Sequence, residues 1–191
     1  MTIKIENKIT IIMIILIMNS LWCSTVYSQV IEDRKTGTKE WYLNGKYHRL
    51  DGTKEWYLNG KLHREDGPAV EWADGTKEWY LNGKYHRLDG PAVEFANGDK
   101  MWYLNGKLHR LDGPALEYSD GSKAWYLNGK LHREDGPAVE WADGTKDWYF
   151  NGQLHRLDGP AREWADGDRE WYLNGKQYTE GEYMFVKPNK K

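Results

Sequence analysis

The chain has 191 residues, 27 Lys and Arg against 29 Asp and Glu, one cysteine and 11 tryptophans. Both charge signs are spread along its length with no basic block, which argues against a nucleic-acid partner held by clustered Lys and Arg. A lone cysteine leaves packing and strand pairing to hold the fold.

Residues 1–28 stand apart in composition. Lys4 and Lys8 lead into a stretch, 9–21, that is apolar except for Thr10, Asn19 and Ser20. Val26-Tyr27-Ser28 then offers small residues at the −3 and −1 positions of a cleavage site, and eight of the nine isoleucines lie before position 18. This pattern predicts a secretory signal helix removed after Ser28. A retained membrane anchor needs about 20 apolar residues, more than are present. Lipidation at Cys23 would want a small residue where Trp22 stands. The expected location is therefore secreted, periplasmic or cell-surface, with no transmembrane anchor after cleavage. Without Lys4, Lys8 and Glu6, the remaining chain has 25 basic and 28 acidic side chains and no cysteine.

Residues 29–40 form a charged N-terminal edge segment, with Glu32-Asp33-Arg34-Lys35 suited to an exposed first strand. The block Trp-Tyr-Leu-Asn-Gly (once Trp-Tyr-Phe-Asn-Gly) then recurs at Trp41, Trp56, Trp79, Trp102, Trp125, Trp148 and Trp171, with a constant spacing of 23 residues from Trp56 onward. A fixed period of this size means one supersecondary unit stacked on copies of itself. The repeats span 41–176: a short unit, 41–55, then full units 56–78, 79–101, 102–124, 125–147 and 148–170. Residues 171–191 make a C-terminal cap and tail, in which Tyr183-Met184-Phe185-Val186 supplies an apolar closing segment and 188–191 a frayed end.

Each full unit carries two hairpin signals and one break. In 79–101, Asn82-Gly83 and Asn97-Gly98 suit type I′ turns, whose central residues both need positive φ. Asp89-Gly90-Pro91 interrupts the strand pattern, because Pro91 has no N–H to donate to a ladder. No segment between these breaks suits a helix. The expected fold is all-β: an elongated, single-layer antiparallel ribbon of repeated hairpins. Two strands per unit and a structured Lys-x-His-Arg loop would let identical residues stack in register; a third strand across Asn-Gly is the alternative. At about 4.8 Å per strand, each unit would rise about 10 Å.

With two-residue loops throughout, Val70 pairs with Trp79. Val70, Trp72, Trp79 and Leu81 then share one face, and Glu71, Glu78 and Tyr80 the other. This register sets Glu71 opposite Glu78, which requires either a neighbouring cation or a shifted register.

The string Asn82-Gly83-Lys84-x-His86-Arg87-x-Asp89-Gly90-Pro91-Ala92, repeated at this period, resembles the bacterial and viral variants of the MORN repeat over 38–182. Arg87 stands where that family usually has Gly. The resemblance implies a series of β-hairpins with scaffolding and protein-contact roles. Some family members contact membrane lipids, but a mildly acidic chain suits that poorly. Some bacterial variants are labelled antitoxin components, a role that fits badly with a leader.

Three repeated sets could carry function. The histidines His48, His63, His86, His109, His132 and His155 could suggest metal binding. Equivalent atoms about 10 Å apart cannot share an ion whose ligands lie at about 2.0–2.1 Å. Each His is instead expected to hydrogen-bond within its own loop. Arg64, Arg87, Arg110, Arg133 and Arg156, like Arg49, each precede an Asp by two residues, and a local salt bridge is expected. These arginines are secondary candidates for an anionic ligand. Tyr57, Tyr80, Tyr103, Tyr126, Tyr149 and Tyr172 form the candidate binding surface, since stacked rings can grip sugars or cationic groups. Here the chain loosely resembles cell-wall-binding repeats carrying Trp-Tyr-Tyr-Leu-Asn strings. No catalytic, metal or cofactor set is expected, because rows of like groups do not converge on one pocket. The expected function is a scaffold or protein-binding module. Alternatives are a glycan-binding ribbon and an antitoxin-like neutralising protein.

Overall fold

The computed structural model describes residues 52–187 and, before them, the backbone of Ile9–Ile14, Ser28–Asp33, Lys39–Leu43 and Lys46–His48. Ile9–Ile14 is extended and pairs antiparallel with Ser28–Asp33. The rest of the leader with Cys23, the Arg49/Asp51 pair and the tail 188–191 lie outside the described residues. The described residues are all-β apart from one short C-terminal helix. It divides into two compact units, 1–83 and 84–191.

In the first unit the strands pair antiparallel in chain order from Ile9–Ile14 to Lys77–Glu78, omitting only the side hairpin described below. The short repeat lacks the segment that supplies a strand elsewhere. Its Lys46–His48 fills that place, pairing with both Lys39–Leu43 and Lys54–Glu55.

The second unit shows the repeat most fully. Val93–Glu94, Lys100–Met101, Leu116–Glu117, Lys123–Ala124, Val139–Glu140, Lys146–Asp147, Arg162–Glu163, Arg169–Leu173 and Lys176–Tyr178 form one antiparallel sheet in that order. Each repeat adds two of these strands. Between them the chain leaves the sheet and makes a second, separate hairpin. In 102–124 this pairs Tyr103–Leu104 with Lys107–Leu108. The Lys-x segment is thus a strand rather than part of a loop. Parity survives because each unit has four short strands, two in the sheet and two beside it.

The two hairpin turns differ, which corrects the register. In the side hairpin both Asn105 and Gly106 have positive φ, at 52° and 80°, as a type I′ turn requires. In the sheet hairpin only the glycine does: Gly121 lies at φ 96°. There Tyr118 N–H donates to Ser122 O at 3.0 Å and Gly121 N–H to Tyr118 O at 3.0 Å. This is a three-residue loop with a bulge. The acid side chain favours it, since Asp120 Oδ1 accepts the Ser122 N–H at 2.8 Å. One extra loop residue shifts the pairing by one, so Val70 faces Glu78 and Glu71 faces Lys77. The expected Glu71–Glu78 clash is absent.

The corrected register gives each face a distinct row. One carries alternating charge: Glu94, Lys100, Glu117, Lys123, Glu140, Lys146, Glu163 and Arg169 stand opposite one another in turn. The other carries Val93, Met101, Leu116, Ala124 and Val139, followed by Asp147, Arg162 and Glu170. Leu116, Ala124 and Val139 are buried, with Tyr126, Tyr149, Leu108 and Leu131 packed against them. Side chains from the side hairpins therefore cover the row that a lone sheet would leave wet. Ala69, Ala92, Ala115, Ala138 and Ala161 have no exposed surface at all. At this position the chain crosses from loop to sheet: Ala115 N–H donates to Ala124 O and Ala115 O accepts the Trp102 N–H, both at 2.8 Å.

In a chain otherwise expected to be all-β, the apolar closing segment expected at 183–186 belongs to a helix, α1, Glu180–Val186. Thr179 caps its N-terminus, and Glu182 reaches back to the Thr179 N–H at 2.8 Å. Tyr183 is buried, and its hydroxyl donates to Arg156 O at 2.9 Å. No helix among the described residues is long and apolar enough to cross a membrane.

Candidate functional site

The Arg-x-Asp-Gly-Pro loop has the same construction in each described full unit. In 102–124, Arg110 Nε donates to Asp112 Oδ1 at 3.0 Å, and Nη1 donates to Pro114 O at 3.2 Å and Glu117 Oε1 at 2.9 Å. The guanidinium also stacks on Trp102, 4.0 Å from the ring centroid. Arg64, Arg133 and Arg156 stack likewise on Trp56, Trp125 and Trp148 at 4.1, 4.0 and 3.9 Å. The glycine serves this clamp: a Cβ on Gly113 would lie 2.9 Å from Arg110 Cζ. The local Arg–Asp bridge was legible in the sequence. The tryptophan eight residues earlier, which forms the other half of the clamp, was not assigned to it.

These contacts place the secondary candidates Arg64, Arg87, Arg110, Arg133 and Arg156 inward, with side chains about one-fifth exposed, whereas Asp112 is 84% exposed. The hydrogen bond from Arg110 holds the Asp112 carboxyl below its ordinary 3.8, and Arg87 and Arg133 do the same to Asp89 and Asp135. The stability from each such pair is fully present above that ordinary value and is lost as pH falls through the lower folded one. An NMR titration should find Asp112 below 3.8, and Arg110→Gln should move it back up. No response to Arg110→Gln would show that the bond is not made in solution.

The histidines join neighbouring units, not their own loop as expected. His132 N–H donates to Trp125 O at 3.0 Å within the unit. Its Nδ1 accepts the Asn151 N–H of the following unit at 3.1 Å. His63, His86, His109 and His155 receive Asn82, Asn105, Asn128 and Asn174 in the same way. The constant 19-residue separation of His and Asn was the available signal. At the opposite ends of the strands, Ser122 Oγ accepts Ala142 N–H at 3.0 Å and Thr145 Oγ1 accepts Ala165 N–H at 3.2 Å. Among the described residues no group of three or more His, Cys, Asp or Glu is placed to hold a metal.

The tyrosine row lies on the packed face, not on the mixed face as the two-residue-loop register implied. Tyr57 is exposed and donates to Glu55 at 2.9 Å. Tyr80 is half-buried. Tyr103, also half-buried, lies 5.0 Å from the Tyr85 ring. Tyr126 and Tyr149 rest on the buried row, and Tyr172 donates to Glu170 at 3.2 Å. Burial pushes the Tyr103, Tyr126 and Tyr149 phenols above their ordinary 10. A second aromatic row, not singled out in the sequence, shares this face: Tyr118, Trp141 and Trp164 are 38, 49 and 42% exposed. Trp141 Nε1 donates to Asp147 across the row at 3.2 Å.

Consecutive clamps enclose grooves. One of 600 Å³ lies among Arg110, Asp112 and Pro114 of one loop and Trp125, His132, Arg133, Glu134 and Asp135 of the next unit. The following groove, of 970 Å³, repeats the arrangement with Arg133, Asp135 and Pro137, then Trp148, Phe150, His155, Arg156 and Asp158. Arg133, Glu134 and Asp135 line both. Phe150 replaces the usual leucine, its ring centroid 4.7 Å from His132 and 5.8 Å from His155.

No protein-family description matches the chain, and no curated protein matches it.

Proposed function

We propose that this chain is a non-enzymatic, extracytoplasmic repeat scaffold, of the MORN type its loop string resembles, that holds a protein partner along its row of loops. The supporting observation is a groove built twice in succession from equivalent residues, with Arg133, Glu134 and Asp135 as a shared wall. An enzyme site gathers unlike groups around one reacting centre. A series of like grooves suits a partner that engages several units at once, so that each contact raises the effective concentration for the next.

The test is site-directed photo-crosslinking from Leu111, which is 83% exposed at the groove rim, against Ala142 on the turn at the other end of the strands. Labelling of one partner from Leu111 alone, suppressed by excess unlabelled protein, is the expected result. Equal labelling from both positions, or none, would reject the reading.

The half-exposed row of Tyr118, Trp141 and Trp164 favours glycan binding as a second reading. Retention on a glycan array that Trp141→Ala and Trp164→Ala abolish would put that reading first.

A further inference from the structure

Building on the scaffold reading, we propose that the row of grooves takes a polyproline-II segment with a basic side chain at every third residue. Three observations converge on that occupant.

The first is charge. One groove sets Asp112, Glu134 and Asp135 against Arg110 and Arg133; the next sets Glu134, Asp135 and Asp158 against Arg133 and Arg156. The guanidiniums are committed inward to tryptophan rings, proline carbonyls and sheet glutamates, while the loop carboxylates stand outward. A ligand at the rim therefore meets acceptors, and a Lys or Arg side chain supplies the complement.

The second is the lining. Pro114 and Trp125 line one groove; Pro137, Trp148 and Phe150 line the other. Flat aromatic and proline rings are what extended, proline-rich segments dock against.

The third is period. Within 84–191 each unit adds two strands to the sheet, so equivalent rims repeat at about 9.4–9.8 Å. Polyproline II returns a side chain to the same side every three residues, about 9.3 Å. An α-helix does so over seven residues, about 10.5 Å, and falls out of step by roughly 1 Å per unit. A β-strand repeats every two residues, about 6.6–6.8 Å, and matches poorly.

The experiment measures fluorescence anisotropy of labelled peptides on the full chain. The probes are four Lys-Pro-Pro repeats, four Lys-Pro-Pro-Pro repeats, four Glu-Pro-Pro repeats and a helical peptide with Lys at every seventh residue. The first should bind at least tenfold tighter than each of the others and weaken with salt. Leu111→Lys with Glu134→Lys should cost at least tenfold in affinity with an unchanged thermal melt, since both side chains are exposed and outside the clamp. Equal affinity for the two spacings, preference for the helical or acidic peptide, or binding unmoved by the double variant would each overturn the proposal. If no peptide binds but Leu111 still crosslinks a partner, the proposal falls and the scaffold reading stands; if neither occurs, both fall.

Discussion

Asp147→Ala should cost about 3–5 kcal/mol, the range for breaking a buried ion pair from one side. Adding Arg162→Val should restore most or all of it. Asp147 is 3% exposed and sits where Ala124 and Met101 sit in preceding units. Arg162 Nε donates to its Oδ1 at 2.6 Å, and Nη2 reaches Oδ2 at 3.4 Å. Removing the carboxylate strands a guanidinium whose other acid, Glu170, is 3.7 Å away and already accepts from Tyr172. The double variant is different, because the protein already contains its design. Asp147→Ala with Arg162→Val sets an alanine between Val139 and a second valine, as Ala124 now sits between Leu116 and Val139. Trp141 loses its acceptor in both variants, but at 49% exposure water can replace it. Urea melts of the two single variants and the double complete the cycle. A double variant no more stable than Asp147→Ala would mean that the pair orders the last repeats in a way an apolar rung cannot.

Much of this architecture could be read from the period and the turns. All-β hairpins at 23 residues follow from Asn-Gly, Asp-Gly and Gly-Pro at fixed offsets, and the positive φ at Asn105 and Gly106 is what that dipeptide demands. The errors arise where one signal fits two geometries. Asp-Gly serves a two-residue or a three-residue loop, and choosing the former slipped the register by one and set Glu71 against Glu78. The like-charge contact was itself the sign of the slip. The same slip put Tyr80 and Trp79 on the wrong faces, because alternation holds through the tryptophan: Ala124 and Tyr126 lie on the packed side, and Trp125, stacked under the arginine that reaches Glu140, lies on the charged one. The helix was missed although Thr179 and Glu182 spell a capping box, because seven residues are too few to show a helical period. At the site, the Arg–Asp bridge is local and legible. The Arg–Trp stack and the His–Asn link depend on a bend and on the next unit, and a local reading of either residue has no access to them.

Deleting the whole unit 102–124 should leave a folded protein, whereas deleting 177–186 should leave one that melts lower and associates. The internal deletion brings Met101 to Trp125 with the repeat in phase. Met101 then faces Val139 as Ala124 does now, and His86 can accept the Asn128 N–H as it accepts Asn105. If contacts run only between neighbours, what is lost is one unit and one interface. The cap has no such substitute. Tyr183 fills the last position of the packed array and donates to Arg156 O, the carbonyl of the final clamp arginine. The strand Lys176–Tyr178, paired to Trp171–Leu173 by Trp171↔Tyr178, is the last in the sheet. Removing both uncovers a strand edge and the side of the last loop, a surface open to pairing with other chains. Tyr183→Ala isolates the packing share of this effect and should cost about 3–5 kcal/mol, as for other buried aromatics cut to alanine. Thermal melts and light scattering on the three variants decide the matter. If the internal deletion unfolds while the cap deletion stays monomeric at the parent melting temperature, stability does not run from neighbour to neighbour, and the Tyr183 contact is incidental.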